Sequence, residues 1–198
     1  LEFRRVLFRS NLWRGDGDAN DAVGGVNGTP RNGTTFSAGH IGKAFTFDGV
    51  NSSVSFGNAA GNFGTNDFAI EFWLRSTATG YESVIEKWPL CGQSSMWAIR
   101  IRGTLDGGRA GRVEAFMMSD ANANDLNSIF SQRLVNDGAF HHVAMVRQAT
   151  NLLLYIDGTF EVAGSTPGVT RINNTSDLVA GRSVCTGVDG TVNSSGQL

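Results

Sequence analysis

Retaining glycoside hydrolysis needs two carboxylates about 5 Å apart, and on a β-strand such a pair occupies alternate positions, which share a face. The glutamates are Glu2, Glu71, Glu82, Glu86, Glu114 and Glu161, and none has an acidic residue at both alternate neighbours. Glu82 and Glu86 lie four apart on one face of a regular strand, where they are expected as a solvated surface pair rather than an acid and a nucleophile. His141 and His142 are adjacent, so a strand sends them to opposite sides and they cannot share a metal ion. One is expected to be buried and hydrogen-bonded, the other on the surface. His40 stands alone, and the chain has neither a His-Glu-x-x-His helix motif nor a serine nucleophile elbow. No catalytic residue is expected, and the chain is read as a non-enzyme.

Binding chemistry has more to work with. Asp16, Asp18, Asn20 and Asp21 form an oxygen-rich loop of the kind a hard cation requires. The spacing superficially resembles a helix-loop-helix calcium motif, but no glutamate stands at the twelfth position and no helical pattern flanks the loop. The alternative is a run of aspartate turns. Trp73, Trp88 and Trp97 raise the prospect of sugar stacking. Trp73 reads as a packing residue, whereas Trp88, between Lys87 and Pro89 beside a loop, is the candidate ligand-binding residue. Six Asn-x-Ser/Thr sequons, at Asn27, Asn32, Asn51, Asn173, Asn174 and Asn193, arise from a composition rich in Asn, Ser and Thr and are read as silent.

The elements that must position these residues are strands. Asp137 to Gly164, DGAFHHVAMVRQATNLLLYIDGTFEVAG, reads as a three-stranded antiparallel meander. Phe140–Arg147 alternates, Gln148–Asn151 breaks the pattern, Leu152–Ile156 returns, and Asp157-Gly158 supplies the two positive-φ positions of a tight turn before Thr159–Val162. Further strands are expected at 44–47, 53–56, 68–76, 82–87, 96–102, 113–118 and 177–180, with long exposed loops at 103–111 and 119–127. Phe68, Ile70, Phe72 and Leu74 alternate with Ala69, Glu71, Trp73 and Arg75, the signature of a half-buried strand. In 198 residues with 40% hydrophobic content, 26 Gly and 3 Pro, this pattern describes one all-β domain with a single core. No apolar run approaches the roughly 18 residues of a membrane span. A net charge of −2 offers no footprint for nucleic acid or anionic membrane. Leu1 to Ser10, LEFRRVLFRS, translates a common sequencing adapter codon by codon and is set apart as a probable-artefact segment 1–10, leaving 11–198 as the domain. Without it the charges are 13 basic against 17 acidic, or −4.

Four stretches carry a family resemblance over almost all of Leu12 to Leu198: LWRGDGDANDAVGGVNGT, HIGKAFTFDGVNSSVSFG, DFAIEFWLR, and the meander with its aromatic-His-His-Val-Ala and Leu-Tyr-Ile-Asp-Gly. In this order and spacing they resemble bacterial laminin-G-like domains, related to pentraxin-like domains within the concanavalin A-like lectin/glucanase superfamily. The resemblance implies an antiparallel β-sandwich of jelly-roll topology with its acidic closing strand missing after Gly-Gln-Leu. It also implies a calcium site, where Asp21, with Asp16, would meet ligands from that closing strand. The implied function is a non-catalytic module that recognises a glycan or an extracellular protein. Such a module would belong to a larger secreted or surface-anchored bacterial polypeptide and sit beside its other domains. A structural or adhesive spacer without a small ligand is the alternative, and part of a glycoside hydrolase or lyase a third, disfavoured by the carboxylates. In a secreted domain the only two cysteines, Cys91 and Cys185, are expected to form a disulfide. The other outcome is a pair of free thiols.

Overall fold

The computed structural model describes residues 9–89, 95–119, 126–165, 171–184 and 196–197. Its strands are β1 (Thr29–Arg31), β2 (Thr35–Ala38), β3 (Lys43–Thr46), β4 (Ser53–Ser55), β5 (Phe68–Ser76), β6 (Glu82–Lys87), β7 (Met96–Ile101), β8 (Arg112–Met118), β9 (Leu126–Leu134), β10 (Phe140–Gln148), β11 (Asn151–Ile156), β12 (Thr159–Ser165), β13 (Leu178–Ala180) and β14 (Gly196–Gln197). Among the described residues there is no helix, and the strands form two antiparallel sheets. The first runs β1-β4-β13-β6-β7-β8-β9 and the second β12-β11-β10-β5-β14-β3-β2. Chain neighbours such as β4 and β5 belong to different sheets, the exchange that defines a sandwich of this class.

Alternation drives the layering. On β10, Val143 and Met145 are completely buried while His142, Ala144 and Val146 are only partly so; on β11, Leu152, Leu154 and Ile156 face the same core. The first sheet answers with Ile99 and Ile101 of β7, Val113, Ala115 and Met117 of β8, and Ile129 of β9. The β11–β12 turn has φ of 53° at Asp157 and 73° at Gly158, the two left-handed positions expected from the Asp-Gly pair.

β6 departs from the expectation. Ser83 pairs with Arg100 and Ile85 with Ile99, so Val84 is an extra residue opposite a single step of β7. The bulge reverses the alternation: Glu82 lies across from the core residue Ile101, and Glu86 across from Ala98 on the other face. The two glutamates therefore point to opposite sides of the sheet, and both are buried, at 2% and 0% exposure, rather than forming a solvated pair. Nor is the 119–127 segment a loop throughout, because β9 starts at Leu126 and Ser119 is buried. Residues 1–8, most of the segment 1–10 set apart in the sequence, lie outside the described residues, as do Cys91 and Cys185 with their expected bridge.

Candidate functional site

The outward face of the first sheet is not the polar surface usual for an exposed sheet. Register places Ala98 beside Phe116, Arg100 beside Glu114, and Phe116 beside Ser128. Met96, Ala98 and Phe116 form a second apolar cluster, outside the main core, packed by Trp88 and Met118. Arg100 sits at its centre, 8% exposed, with its guanidinium carbon 4.2 Å from the Phe116 ring, 4.5 Å from Trp88 and 5.5 Å from Tyr81. Three aromatic faces around one cation give an attraction that strengthens as water is excluded. The charge is balanced by Glu86, 3.5 Å from Arg100 Nη2. Glu86 in turn accepts hydrogen bonds from Ser83 Oγ at 2.6 Å, Ser183 Oγ at 3.0 Å and the Val184 N–H at 2.6 Å.

Toward the β7–β8 connection the same face continues with Arg102. Its guanidinium donates to Asp106 at 2.5 Å and to Glu114 at 3.0 Å, and Ser128 Oγ donates to Glu114 at 2.8 Å. Burial, with Glu114 and Glu86 adding to it and Arg100 opposing, pushes the Tyr81 hydroxyl far above its ordinary value, so it remains a neutral phenol. The exposed Arg109 lies 4.1 Å from the Phe130 ring. Trp88 was the one member of this face expected to bind ligand. It is half-buried, with one ring face taken by Arg100 and its Nε1–H without a hydrogen-bond partner. Arg100, Phe116, Tyr81 and Arg112 were missed. Their signal was in the sequence: on β7 and β8 the positions alternating with the core residues carry Arg, Glu and Phe rather than short polar residues.

The acidic loop is built differently from a cation cage. Asp21 Oδ1 accepts from the N–H groups of Leu12 at 2.8 Å and Val23 at 3.0 Å, and Oδ2 from Asn11 Nδ2 at 2.6 Å and the Val26 N–H at 3.1 Å. Burial opposes its ionisation, yet these bonds together hold the carboxyl well below the usual range. Asp18 caps Asn20, and Asp16 accepts the Lys43 N–H at 3.0 Å. Among the described residues no group of three or more His, Cys, Asp or Glu side chains is placed to hold a metal ion. The N–H groups around Asp21 hold its carboxylate in place and tie the loop together.

His141 and His142 do face opposite sides. His141 bridges two carboxylates, with Nδ1 2.9 Å from Asp157 and Nε2 3.1 Å from Asp137. His142 lies outward, near Glu71 at 3.6 Å and the Trp73 ring at 5.3 Å between centroids. His40 stacks on Trp73 at 3.6 Å. Trp97 is a core residue, 1% exposed, donating to the Gly61 carbonyl at 2.9 Å.

A family profile for laminin G-type domains of the Concanavalin A-like lectin/glucanases superfamily matches residues 48–196. The chain belongs to that family. No curated protein matches the chain by sequence. Among solved structures the binding domain of Paraclostridial Mosquitocidal Protein 1 superposes with a TM-score of 0.68 at 17% identity, covering 88% of this chain and 42% of that one. Domain 4 of an extracellular arabinanase from Geobacillus stearothermophilus, in complex with arabinotriose, gives 0.63 at 14% identity, covering 91% of this chain and 84% of that one. The mouse laminin alpha1 chain, domains LG4-5, gives 0.62 at 14%, covering 84% and 42%. The chain spans 42%, 41% and 43% of the length of the first three structures it matches. At these identities the laminin-G and lectin-like neighbours bear out the concanavalin A-like antiparallel sandwich and say nothing by themselves about ligand.

Proposed function

We propose that this laminin-G-like domain is a non-catalytic recognition module for glycans, carried by a larger secreted or surface-anchored bacterial protein, and that it binds through the outward face of β6–β9. The observation that carries the reading is the Arg100 cluster. A sheet face turned away from the core has no folding need to gather Tyr81, Trp88 and Phe116 around an arginine, whereas aromatic rings with polar N–H donors among them are what sugar recognition uses. Structures of the same fold include an arabinanase domain with arabinotriose and a botulinum neurotoxin serotype D ligand binding domain with N-acetylneuraminic acid. They support a carbohydrate ligand.

Hydrolysis is not part of this reading. Glu86 spends its oxygens on Ser83, Ser183 and Val184, and Glu114 on Arg102 and Ser128, so neither carboxylate is free to take or give a proton. A glycan array, repeated with Trp88→Ala, tests the function. Binding to a defined set of glycans that is lost in the variant, with no release of reducing sugar, is the expected result. An array without signal would favour a spacer domain.

A further inference from the structure

Two asparagines precede glycine, in Asn27-Gly28 and Asn32-Gly33, and a following glycine leaves the asparagine carboxamide most open to its own backbone because it has no side chain to hinder the approach. The fold treats the two differently. Asn27 Oδ1 accepts the Asp21 N–H at 3.0 Å, and the Gly28 N–H is spent on the Ala19 carbonyl at 2.7 Å. Gly28 is also packed so closely that a Cβ there would meet the Phe56 ring at 2.8 Å and Val54 at 2.9 Å. Neither the Asn27 carboxamide nor the nitrogen behind it can turn without breaking bonds and pushing on the core. Asn32 and Gly33 instead form the two-residue turn between β1 and β2, with φ of 52° and 80° and the Thr34 N–H on the Arg31 carbonyl at 3.1 Å. Both are exposed, a Cβ on Gly33 would meet nothing within 4 Å, and among the described residues the Gly33 N–H has no partner. The Asn32 side chain is steadied by a bond from Nδ2 to the exposed Asn51 carbonyl, 3.0 Å long.

We propose that Asn32 is a site of spontaneous covalent modification, at which the folded domain converts its β1–β2 turn to an aspartyl or isoaspartyl form while Asn27 stays intact. Hydroxide removes the Gly33 amide proton, and the nitrogen attacks Cγ of Asn32. The new N–Cγ bond closes a succinimide ring as the Cγ–Nδ2 bond breaks, and ammonia departs with a proton taken from water. A further water opens the ring at either carbonyl, giving aspartate or isoaspartate. Aspartate puts a carboxylate where an amide donated to the Asn51 carbonyl. Isoaspartate adds a backbone carbon to a turn that Thr34 Oγ1 holds in register with β4, through bonds to the Arg31 carbonyl at 2.9 Å and the Ser53 carbonyl at 2.8 Å. β1 pairs with β4 alone, so it is the strand that the modification loosens.

Incubation of the folded protein in mildly alkaline buffer, followed by peptide mass spectrometry, tests the inference, since trypsin separates the two asparagines at Arg31. The Asn32 peptide should gain about 1 Da at a rate about 10-fold or more above that of the Asn27 peptide, which must wait for the fold to open locally. In denaturant, where the fold guards neither, the two should react at similar rates. Asn32→Gln should remove the mass change from its peptide and leave Asn27 as it was. In the aged protein amide exchange should quicken across β1 and stay unchanged across β10 and β11. Equal rates at the two sites in the folded protein, or conversion of Asn32 in denaturant alone, would overturn the site. Conversion of Asn32 with unaltered exchange across β1 would overturn the loosening of that strand.

Discussion

His141 ties the start of β10 to the β11–β12 turn through Asp157 and to the preceding turn through Asp137. Arg133 adds a further cation, 3.7 Å from Asp157 and 3.1 Å from Glu161. Burial works against a charged imidazole, but the bonds from Asp157 and Asp137 outweigh it and hold the His141 pKa above its ordinary 6.5. The two aspartates move the other way: the bond from the Ala139 N–H leads for Asp137, while for Asp157 burial is outweighed by His141 and the His142 N–H. The signs set a window. A raised histidine pKa stabilises fully below the unfolded value of 6.5 and loses its contribution as pH climbs through the folded one. Depressed aspartates contribute above their ordinary 3.8 and lose it as pH falls through the folded value. Melting temperature should therefore peak near about pH 5 and decline on the alkaline side. His141→Gln should flatten that alkaline decline in thermal melts read at several pH values. An unchanged slope would mean the imidazole is neutral in the folded state.

At the scale of elements, the sequence pattern marked strands with alternating apolar burial such as β10 and β11, and it also marked β6, whose buried positions include Glu82, Ser83, Glu86 and Lys87. β5 and β6 run over the predicted residues, 68–76 and 82–87, and β10 and β11 extend theirs by one residue each. β9 escaped for a physical reason: its most buried positions are Asn127, Ile129 and Ser131, two of them polar, while the aromatic Phe130 faces outward. Ser131 fits inside because its hydroxyl receives the Val113 N–H at 2.9 Å and donates to the Arg133 carbonyl at 2.7 Å. β1 and β2 are short edge strands with little buried side chain, which leaves no periodicity to read. On the outward face of β6–β9 only Trp88 was singled out; Arg100, Glu114 and Phe116 were readable in the alternation of β7 and β8, whereas a bulge at Val84 turns Glu86 outward and no single-sequence pattern announces a bulge.

The acidic loop shows the same difference between residue type and placement. Its aspartates suggested a cation, and the fold gives Asp21 four N–H donors that bind Asn11, Leu12, Val23 and Val26 together. Asp21→Ala should cost about 2 kcal/mol in denaturant melts, since bonds to an ionised acceptor are among the stronger ones and their donors would be left unpaired. Adding calcium or a chelator should leave the melting temperature of the wild-type protein unchanged. A rise with calcium would show that Asp21 and Asp16 act as cation ligands.

For the molecule as a whole, the decisive feature is that one core serves both sheets. Ile99 belongs to β7 of the first sheet and Leu154 to β11 of the second, both are completely buried, and both lie in the same cluster. Among the described residues neither sheet has a second apolar layer large enough to stand alone; the outward cluster around Met96, Ala98 and Phe116 is small and surrounds the Arg100–Glu86 ion pair. Strand exchange between the sheets makes separate unfolding harder still, because opening one sheet strips the partner of its buried face. Unfolding should therefore be a single transition, with tryptophan fluorescence and far-ultraviolet circular dichroism giving coincident curves. Ile99→Ala and Leu154→Ala should each lower stability by about 2 to 5 kcal/mol, through lost transfer energy and the cavity left behind. Each should move that one midpoint, although the residues sit on opposite sheets. Two transitions, each sensitive to only one substitution, would show that the sheets hold together independently.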